Sequence, residues 1–236
     1  MTSKQIIFPG DSDTLEHAIE KISSPVKLGP NIFQNPVTAP VPIKAGYLST
    51  KKIKNGAIIY VESSNKRYTP VLGDNVIGIV SLRHSEGFRV VLQEYSPPVQ
   101  LGQFAFHNAT KKNKVNLSPG AVVYGRICAA DLNIETEMEC VNSTTGQSDG
   151  YGELKGGHII DVPLGYARML YYEGGPVLKA IGEHVSFETA VGLNGKVWVV
   201  SDDVLTTWKV ARCIENGQYW SKDEVENNVA SIFAST

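Results

Sequence analysis

The chain has 236 residues, 42% of them apolar and 19% charged, with a formal net charge of −2. That length admits one large domain or two to three small ones, the apolar share suffices for packed cores, and the charged share argues against wholesale disorder. No apolar run approaches the roughly 18 residues of a membrane span, and the first eight residues lack a basic segment leading into an apolar core, so a soluble, intracellular protein with no membrane partner is expected.

In chain order, IIFPG reads as a short strand closed by a Pro-Gly turn. Asp11 to Ile22 reads as a helix capped by Ser12 or Asp13, with Leu15, Ile19 and Ile22 on one face and Pro25 ending it. VKLGPNIF and IKAGYLSTKKIKNGAIIYVES read as strands. Asn55-Gly56 signals a hairpin whose central residues both need positive φ. Residues 32–43 hold Pro36, Pro40 and Pro42 and read as a loop, and the cluster Lys51, Lys52 and Lys54 reads as a solvated turn. A joint follows near Glu62–Asn65.

Between Arg67 and Cys140 short apolar runs alternate with Gly, Pro and Asn turns. Val76 to Val80 flank Gly78, Phe88 to Leu92 follow, then LGQFAFHNAT, then Val122 to Ile127 after Pro119-Gly120, then Glu135 to Cys140. Five strands of roughly five residues suit a small OB-type barrel, with other small barrels left open. Gly78 in mid-strand points to a bend or bulge. NSTTGQSDGYG is polar and Gly-rich, as a linker or exposed loop would be.

The last part reads strand (HIIDV), helix (Leu164 to Tyr172), a break at Glu173-Gly174-Gly175-Pro176, helix (PVLKAIGEHV), strands FETAV and KVWVV around Leu193-Asn194-Gly195, then a helix from Asp202 to Glu215. Ser221 and Glu224 predict a capping box for a terminal helix that carries Val225, Val229, Ile232 and Phe233 on its apolar face.

These stretches carry a resemblance. GDNVIGIV, GFRVVL, LGQFAFHNAT and LSPGAVVYGRI are similar to an S1-type OB domain. With IIFPGD, VKLGPNIF, SSNKRYTPVLGD, FHNATKKNK, ECVNSTTGQSDGYG and GLNGKVWV around them, nearly the whole chain resembles cap subunits of the eukaryotic RNA exosome, the type that serves ribosomal RNA processing. The resemblance implies a mainly β chain with an α+β C-terminal part. Its parts would be an N-terminal β-rich domain over residues 1–62, an S1-type OB barrel over 63–146 and a KH-like domain over 147–236. It implies a non-catalytic scaffold that binds single-stranded RNA, not DNA, and docks on RNase PH-like ring subunits beside other cap subunits. It also implies residence in nucleus, nucleolus and cytoplasm. A free-standing S1-type RNA-binding module of translation or RNA metabolism is the alternative.

Charge is uneven along the chain: +3 over residues 1–61, 0 over 62–146 and −5 over 147–236. Residues 63–126 hold eight basic and three acidic residues, a modest nucleic-acid signal. Candidate phosphate contacts are Lys66, Arg67, Arg83 and the loop lysines Lys111, Lys112 and Lys114. Phe88 and His107 are candidate stacking rings, against the reading in which Phe88, Phe104 and Phe106 fill the barrel. An RNA-binding KH domain clamps phosphates with a GxxG loop between its first two helices, but Glu173-Gly174-Gly175-Pro176 brings a carboxylate and a proline there. Gly192-Leu193-Asn194-Gly195 has the letters but lies between strands. Gly192, Asn194 and Gly195 are therefore read as a structural turn packed by Leu193 and Trp198. The five histidines are scattered without metal-ligand spacing, and Cys128, Cys140 and Cys213 form no C-x-x-C pair. No cofactor, metal or catalytic residue is expected; an enzyme using His107 or His158 is the competing class.

Overall fold

The structure is a computed structural model that describes residues 5–34, 39–63, 65–110, 112–131, 133–142, 144–221 and 223–234. It divides into two compact units, residues 1–65 and 66–236.

The first unit is built from β1 (Gln5–Ile7), α1 (Ser12–Glu20), β2 (Val26–Leu28), β3 (Ile32–Phe33), β4 (Val41–Pro42), β5 (Gly46–Ile53) and β6 (Gly56–Glu62). β1, β5, β6 and β2 make one sheet in that order, and Ile7, Leu15, Ile59 and Val61 form the core under α1. Asp11, not Ser12 or Asp13, holds the N-cap position of α1. The proline-rich stretch read as a loop carries the β3–β4 pair, with Ile32 opposite Pro42 and Phe33 opposite Val41; Pro36 lies outside the described residues. The hairpin turn is displaced by one residue from the expected place. Ile53 pairs with Gly56, so Lys54-Asn55 turns the chain, and neither has positive φ. Gly56 (φ 151°) is required for a different reason: a Cβ there would clash with the Pro25 carbonyl, which accepts from Ala57 N–H at 3.0 Å.

The second unit begins with β7 (Asn75–Arg83), β8 (Gly87–Val91), β9 (Val99–Phe106), β10 (Val122–Ala129) and β11 (Glu137–Cys140). They pair in the order β11-β9-β8-β7-β10, and a β10–β11 pairing closes the barrel. Closure removes free edges and lets side chains fill the interior; Val76, Phe88, Val90, Leu101, Val123 and Ile127 are fully buried there. Gly78 makes room rather than a bulge: a Cβ would clash with Val90 Cγ1, and the ladder irregularity falls later, between Val80 and Leu82. β12 (Gly152–Leu154) then pairs with β10, so the stretch read as the start of the third domain extends the barrel sheet.

β13 (His158–Asp161), α2 (Leu164–Glu173), α3 (Pro176–His184), β14 (Glu188–Val191), β15 (Lys196–Val200), α4 (Val204–Gly217) and α5 (Val225–Ala234) complete the chain. The β-α-α-β-β-α order matches the expectation, and the sheet runs β13-β15-β14. Ala167, Leu170, Val177, Ile181, Val197 and Val210 lie in the core between sheet and helices. Gly174 ends α2 in the left-handed region (φ 65°) and Pro176 opens α3, the positions where Gly and Pro fit helix ends. Gly175 is buried, and a Cβ on it would meet Leu170 Cδ2 at 2.9 Å, so this glycine is packed inward. Asp203 caps α4 by accepting from Thr206 N–H at 2.6 Å, which holds its carboxyl below the usual range. The expected capping box lies ahead of the helix: Ser221 N–H donates to Glu224 at 3.1 Å, but α5 starts after Glu224.

The turn Gly192–Gly195 joins barrel and KH-like part. Asn194 is 1% exposed. Its amide donates to Ile77 O at 2.8 Å and to Leu92 O at 2.7 Å, and its Oδ1 accepts from Ile77 N–H at 3.1 Å. Leu193 N–H donates to Asn75 O at 2.8 Å. Gly192 is needed because a Cβ there would stand 2.8 Å from Ile77 N and clash with Asn194 Oδ1. Gly195 adopts φ 83° and sits against Val162 O, which a Cβ would meet at 2.6 Å. Leu164, the first residue of α2, packs into the barrel's core cluster. The structural reading of Gly192, Asn194 and Gly195 thus gains a specific role, a plug between two folded parts.

Asn194→Ala removes three hydrogen bonds and leaves buried backbone groups of Ile77 and Leu92 without partners, a loss on the order of 3 kcal/mol. Chemical denaturation is expected to show that loss, while RNA affinity per folded molecule stays as in the parent. Reduced RNA affinity at unchanged stability would show the turn to be a clamp.

Candidate nucleic-acid interface

The barrel separates the predicted contacts into two groups. β8 runs antiparallel to both β7 and β9, with the β7–β8 loop at one end and residues 92–98 at the other. Arg83, at the end of β7, is exposed and donates to Asn116 Oδ1 in the long segment between β9 and β10. That segment also carries His107, Lys112 and Lys114, all exposed. Lys111 lies outside the described residues. The segment is tied by its own polar groups: Thr110 N–H donates to Asn113 O at 3.0 Å, and Asn113 donates back to Thr110 Oγ1 at 3.1 Å and to Asn108 O at 3.3 Å. Lys112 and Lys114 therefore flank an anchored asparagine with their ammonium groups in water.

His107 stands at the foot of this segment. Its Nδ1 is 2.8 Å from Gly146 O and its Nε2 is 2.8 Å from Asn108 Nδ2. The carbonyl requires a donor and the amide requires an acceptor, so Nδ1 carries the hydrogen and both nitrogens are committed. The residue is exposed, which with both nitrogens committed suits stacking better than proton transfer.

Lys66 and Arg67 occupy the opposite end. Gln93 Nε2 donates to Lys66 O at 3.1 Å, Gln93 Oε1 accepts from Tyr68 N–H at 2.9 Å, and Arg67 reaches Tyr95 O at 3.5 Å. Tyr95, in the left-handed region (φ 59°), is 93% exposed beside them. The length of β8 separates the two groups, roughly 13 Å at about 3.3 Å per residue.

Phe88 is fully buried and meets Phe106 edge-on with ring centroids 6.4 Å apart. It fills the barrel and offers no face for stacking, which corrects its candidacy. Phe104, grouped with the core rings, is instead 56% exposed. Strict alternation from buried Leu101 would place Phe106 outside. β9 is irregular there: Leu101 pairs with Met138 and Phe106 with Cys140, five residues of β9 against two of β11. The extra residues turn Phe106 inward, while Phe104 stays on the outer face that alternation gives it.

The β10–β11 side is acidic. Arg89 pairs with Glu135 at 3.0 Å, and Glu137 and Glu139 both push the half-buried Cys128 thiol up, after the larger effect of its burial. Arg126 on β10 stands directly opposite Glu139 on this side. Among the described residues, no group of three His, Cys, Asp or Glu side chains is placed to hold a metal ion.

Three family models match in sequence order: "Exosome complex exonuclease Rrp40 N-terminal domain" over residues 26–67, "Exosome complex component RRP40, S1 domain" over 68–152 and "KH domain" over 157–205. Exosome complex component RRP40 of Saccharomyces cerevisiae is 42% identical over 212 residues, 88% of this chain and 86% of the relative. The chain belongs to the RRP40 family of exosome complex components. The Schizosaccharomyces pombe member is 38% identical over 92% of this chain and 90% of its own length. A solved structure described as an exosome complex RNA-binding protein shares the fold, with a TM-score of 0.57 at 18% identity over 71% of this chain and 98% of its own.

Two expectations follow. Phe88→Ala empties a core position and costs about 3–5 kcal/mol, whereas Phe104→Ala leaves thermal stability unchanged. Melting curves check both, and the reverse ranking would place Phe88 outside the core. The second concerns Asp74, which accepts from Tyr68 Oη at 2.8 Å. Burial raises its carboxyl above the ordinary range, against the lowering effects of Tyr68 and Arg168. A raised folded-state value means the charged form is disfavoured on folding, so the penalty is present at neutral pH and fades as pH falls through the folded value. Asp74→Asn is expected to melt higher than the parent at pH 7, with the gain gone below about pH 4. A lower melting point at pH 7 would show the carboxylate to be stabilising.

Proposed function

We propose that this chain is a non-catalytic, RNA-binding cap subunit of the eukaryotic RNA exosome. On this reading it supports assembly on RNase PH-like ring subunits beside other cap subunits, and guides single-stranded RNA toward 3′-to-5′ degradation and ribosomal RNA processing. The observation that carries the reading is the match of three consecutive RRP40-type and KH segments along one chain, joined to a barrel end that presents Arg83, His107, Lys112 and Lys114 to solvent. A free-standing translation module has no need of the N-terminal segment.

The non-catalytic part rests on chemistry. Both His107 nitrogens are committed to neighbours, His158 is exposed on a sheet strand, and Asp203 is occupied as a helix cap. The reading also implies a nuclear, nucleolar and cytoplasmic protein. Lysine contacts to phosphate read no bases, so binding is sequence-tolerant.

The test uses the assembled complex with the parent chain or with Lys111, Lys112 and Lys114 changed to Ala. RNA affinity is measured across a salt series. If all three touch phosphates, the log-affinity against log-salt slope flattens by about 2, at roughly 0.7 per single-strand phosphate. An unchanged slope and affinity would move the RNA path elsewhere. The pure chain is expected to leave RNA intact; phosphate- or metal-dependent shortening abolished by a point change in this chain would contradict the reading.

A further inference from the structure

Arg126 lies on β10 directly opposite Asn75 on β7. Asn75 is the hub of a tyrosine cluster at the seam between barrel and α2: its Nδ2 donates to Tyr171 Oη at 2.7 Å, and Tyr151 Oη donates to its Oδ1 at 2.9 Å. Tyr171 meets Tyr172 edge-on with centroids 4.9 Å apart. Tyr172 is 71% exposed and Tyr171 37%. Arg168, also exposed, precedes them by three and four residues on α2, the spacing of side chains on one helical face. A Cβ on Gly73 would come within 3.4 Å of the Arg126 guanidinium, which places that cation at the same seam.

We propose that Tyr171, Tyr172, Arg126 and Arg168 form a second contact for single-stranded RNA, with Tyr172 stacking on a base and the arginines holding phosphates. The proposal rests on the RNA-binding reading above and adds a surface that reading does not use. Aromatic rings interleaved with cations are the composition of sequence-tolerant single-strand platforms. Tyr171 is fixed at its hydroxyl by Asn75, so Tyr172 packs against an anchored ring and stacking costs little further ordering. Arg168 stands out in a C-terminal part that is otherwise acidic, −5 over residues 147–236. The neighbouring carboxylates are Asp74, which is engaged by Tyr68, and Glu139, which stands opposite Arg126 on β11. Among the described α2 side chains, the exposed ones are one arginine and two tyrosines, so the patch suits nucleic acid better than an apolar protein surface. An arginine has five donors and can keep a protein partner while binding phosphate.

The test is binding of labelled oligouridylate to the assembled complex, with chelator present to keep the RNA intact. The chains compared are the parent, the Arg168→Ala/Tyr172→Ala double variant, Tyr172→Phe and the loop-lysine variant. Stacking and one phosphate contact predict an affinity loss of about tenfold for the double variant and a salt slope flatter by about 0.7, with Tyr172→Phe near the parent. Both changed residues are exposed, so thermal stability should hold; if the double variant melts early, Arg168→Glu alone gives the same reading through its own loss of affinity. Parent-like affinity and slope in the double variant, with a weakened loop-lysine variant, overturns the seam contact and leaves the RNA-binding reading standing. Parent-like binding in every variant overturns both. A well-folded double variant that fails to enter the complex makes the seam a protein contact and overturns the proposal.

Discussion

Everything in the second unit depends on one buried amide. Asn194 sits 1% exposed between barrel and KH-like part and satisfies three backbone groups of β7 and of the residue following β8. A polar side chain buried without partners is costly, and one that is fully matched fixes geometry as well as contributing energy. Gly192 and Gly195 exist to let the plug approach, since side chains there would collide with Ile77, Asn194 and Val162. The same letters that spell a phosphate clamp in other KH domains are consumed here in holding two parts together. The consequence for function is direct: the Gly192–Gly195 turn is occupied by the joint and is not available to clamp phosphate.

Those surfaces follow from how charge is laid over the rigid unit. Carboxylates Glu135, Glu137 and Glu139 line the β10–β11 side, while cations gather at the two ends of the barrel and at the seam with α2. A single strand with one charge per nucleotide is attracted to the cationic groups. The cationic groups are too far apart for one phosphate and suit a strand several nucleotides long. The committed nitrogens of His107 fit the proposed non-catalytic role.

Much of this was legible in the sequence. Short apolar runs between Gly, Pro and Asn turns predict the five barrel strands, and the order of the last six elements is read correctly because each boundary carries a cap or breaker, such as Gly174 and Pro176. What escaped the reading depends on contacts distant in sequence. Asn55-Gly56 looks like the centre of a hairpin, yet Gly56 answers to Pro25, some thirty residues earlier. Gly78 looks like a bulge and answers to Val90. The burial of Phe106 turns on an irregularity in β9 that alternation cannot reveal. Of the candidate contacts, Arg83, His107, Lys112 and Lys114 come together and Phe88 leaves the set. Tyr95, Arg126, Arg168, Tyr171 and Tyr172 were missed, although RMLYY and the alternating Tyr124 and Arg126 carried a signal for them.

The account's central claim is that barrel and KH-like part are one cooperative unit held by the Asn194 plug. Native-state hydrogen exchange of the Ile77 and Leu193 amides, followed as denaturant is raised, tests it most directly. Ile77 donates to Asn194 and Leu193 donates to Asn75, so both lie on the joint itself. The account predicts that both amides exchange only through global unfolding, with the same free energy as the core amides of Val90 and Val197. Exchange of Ile77 and Leu193 through a lower-energy opening, while those core amides stay protected, would contradict it.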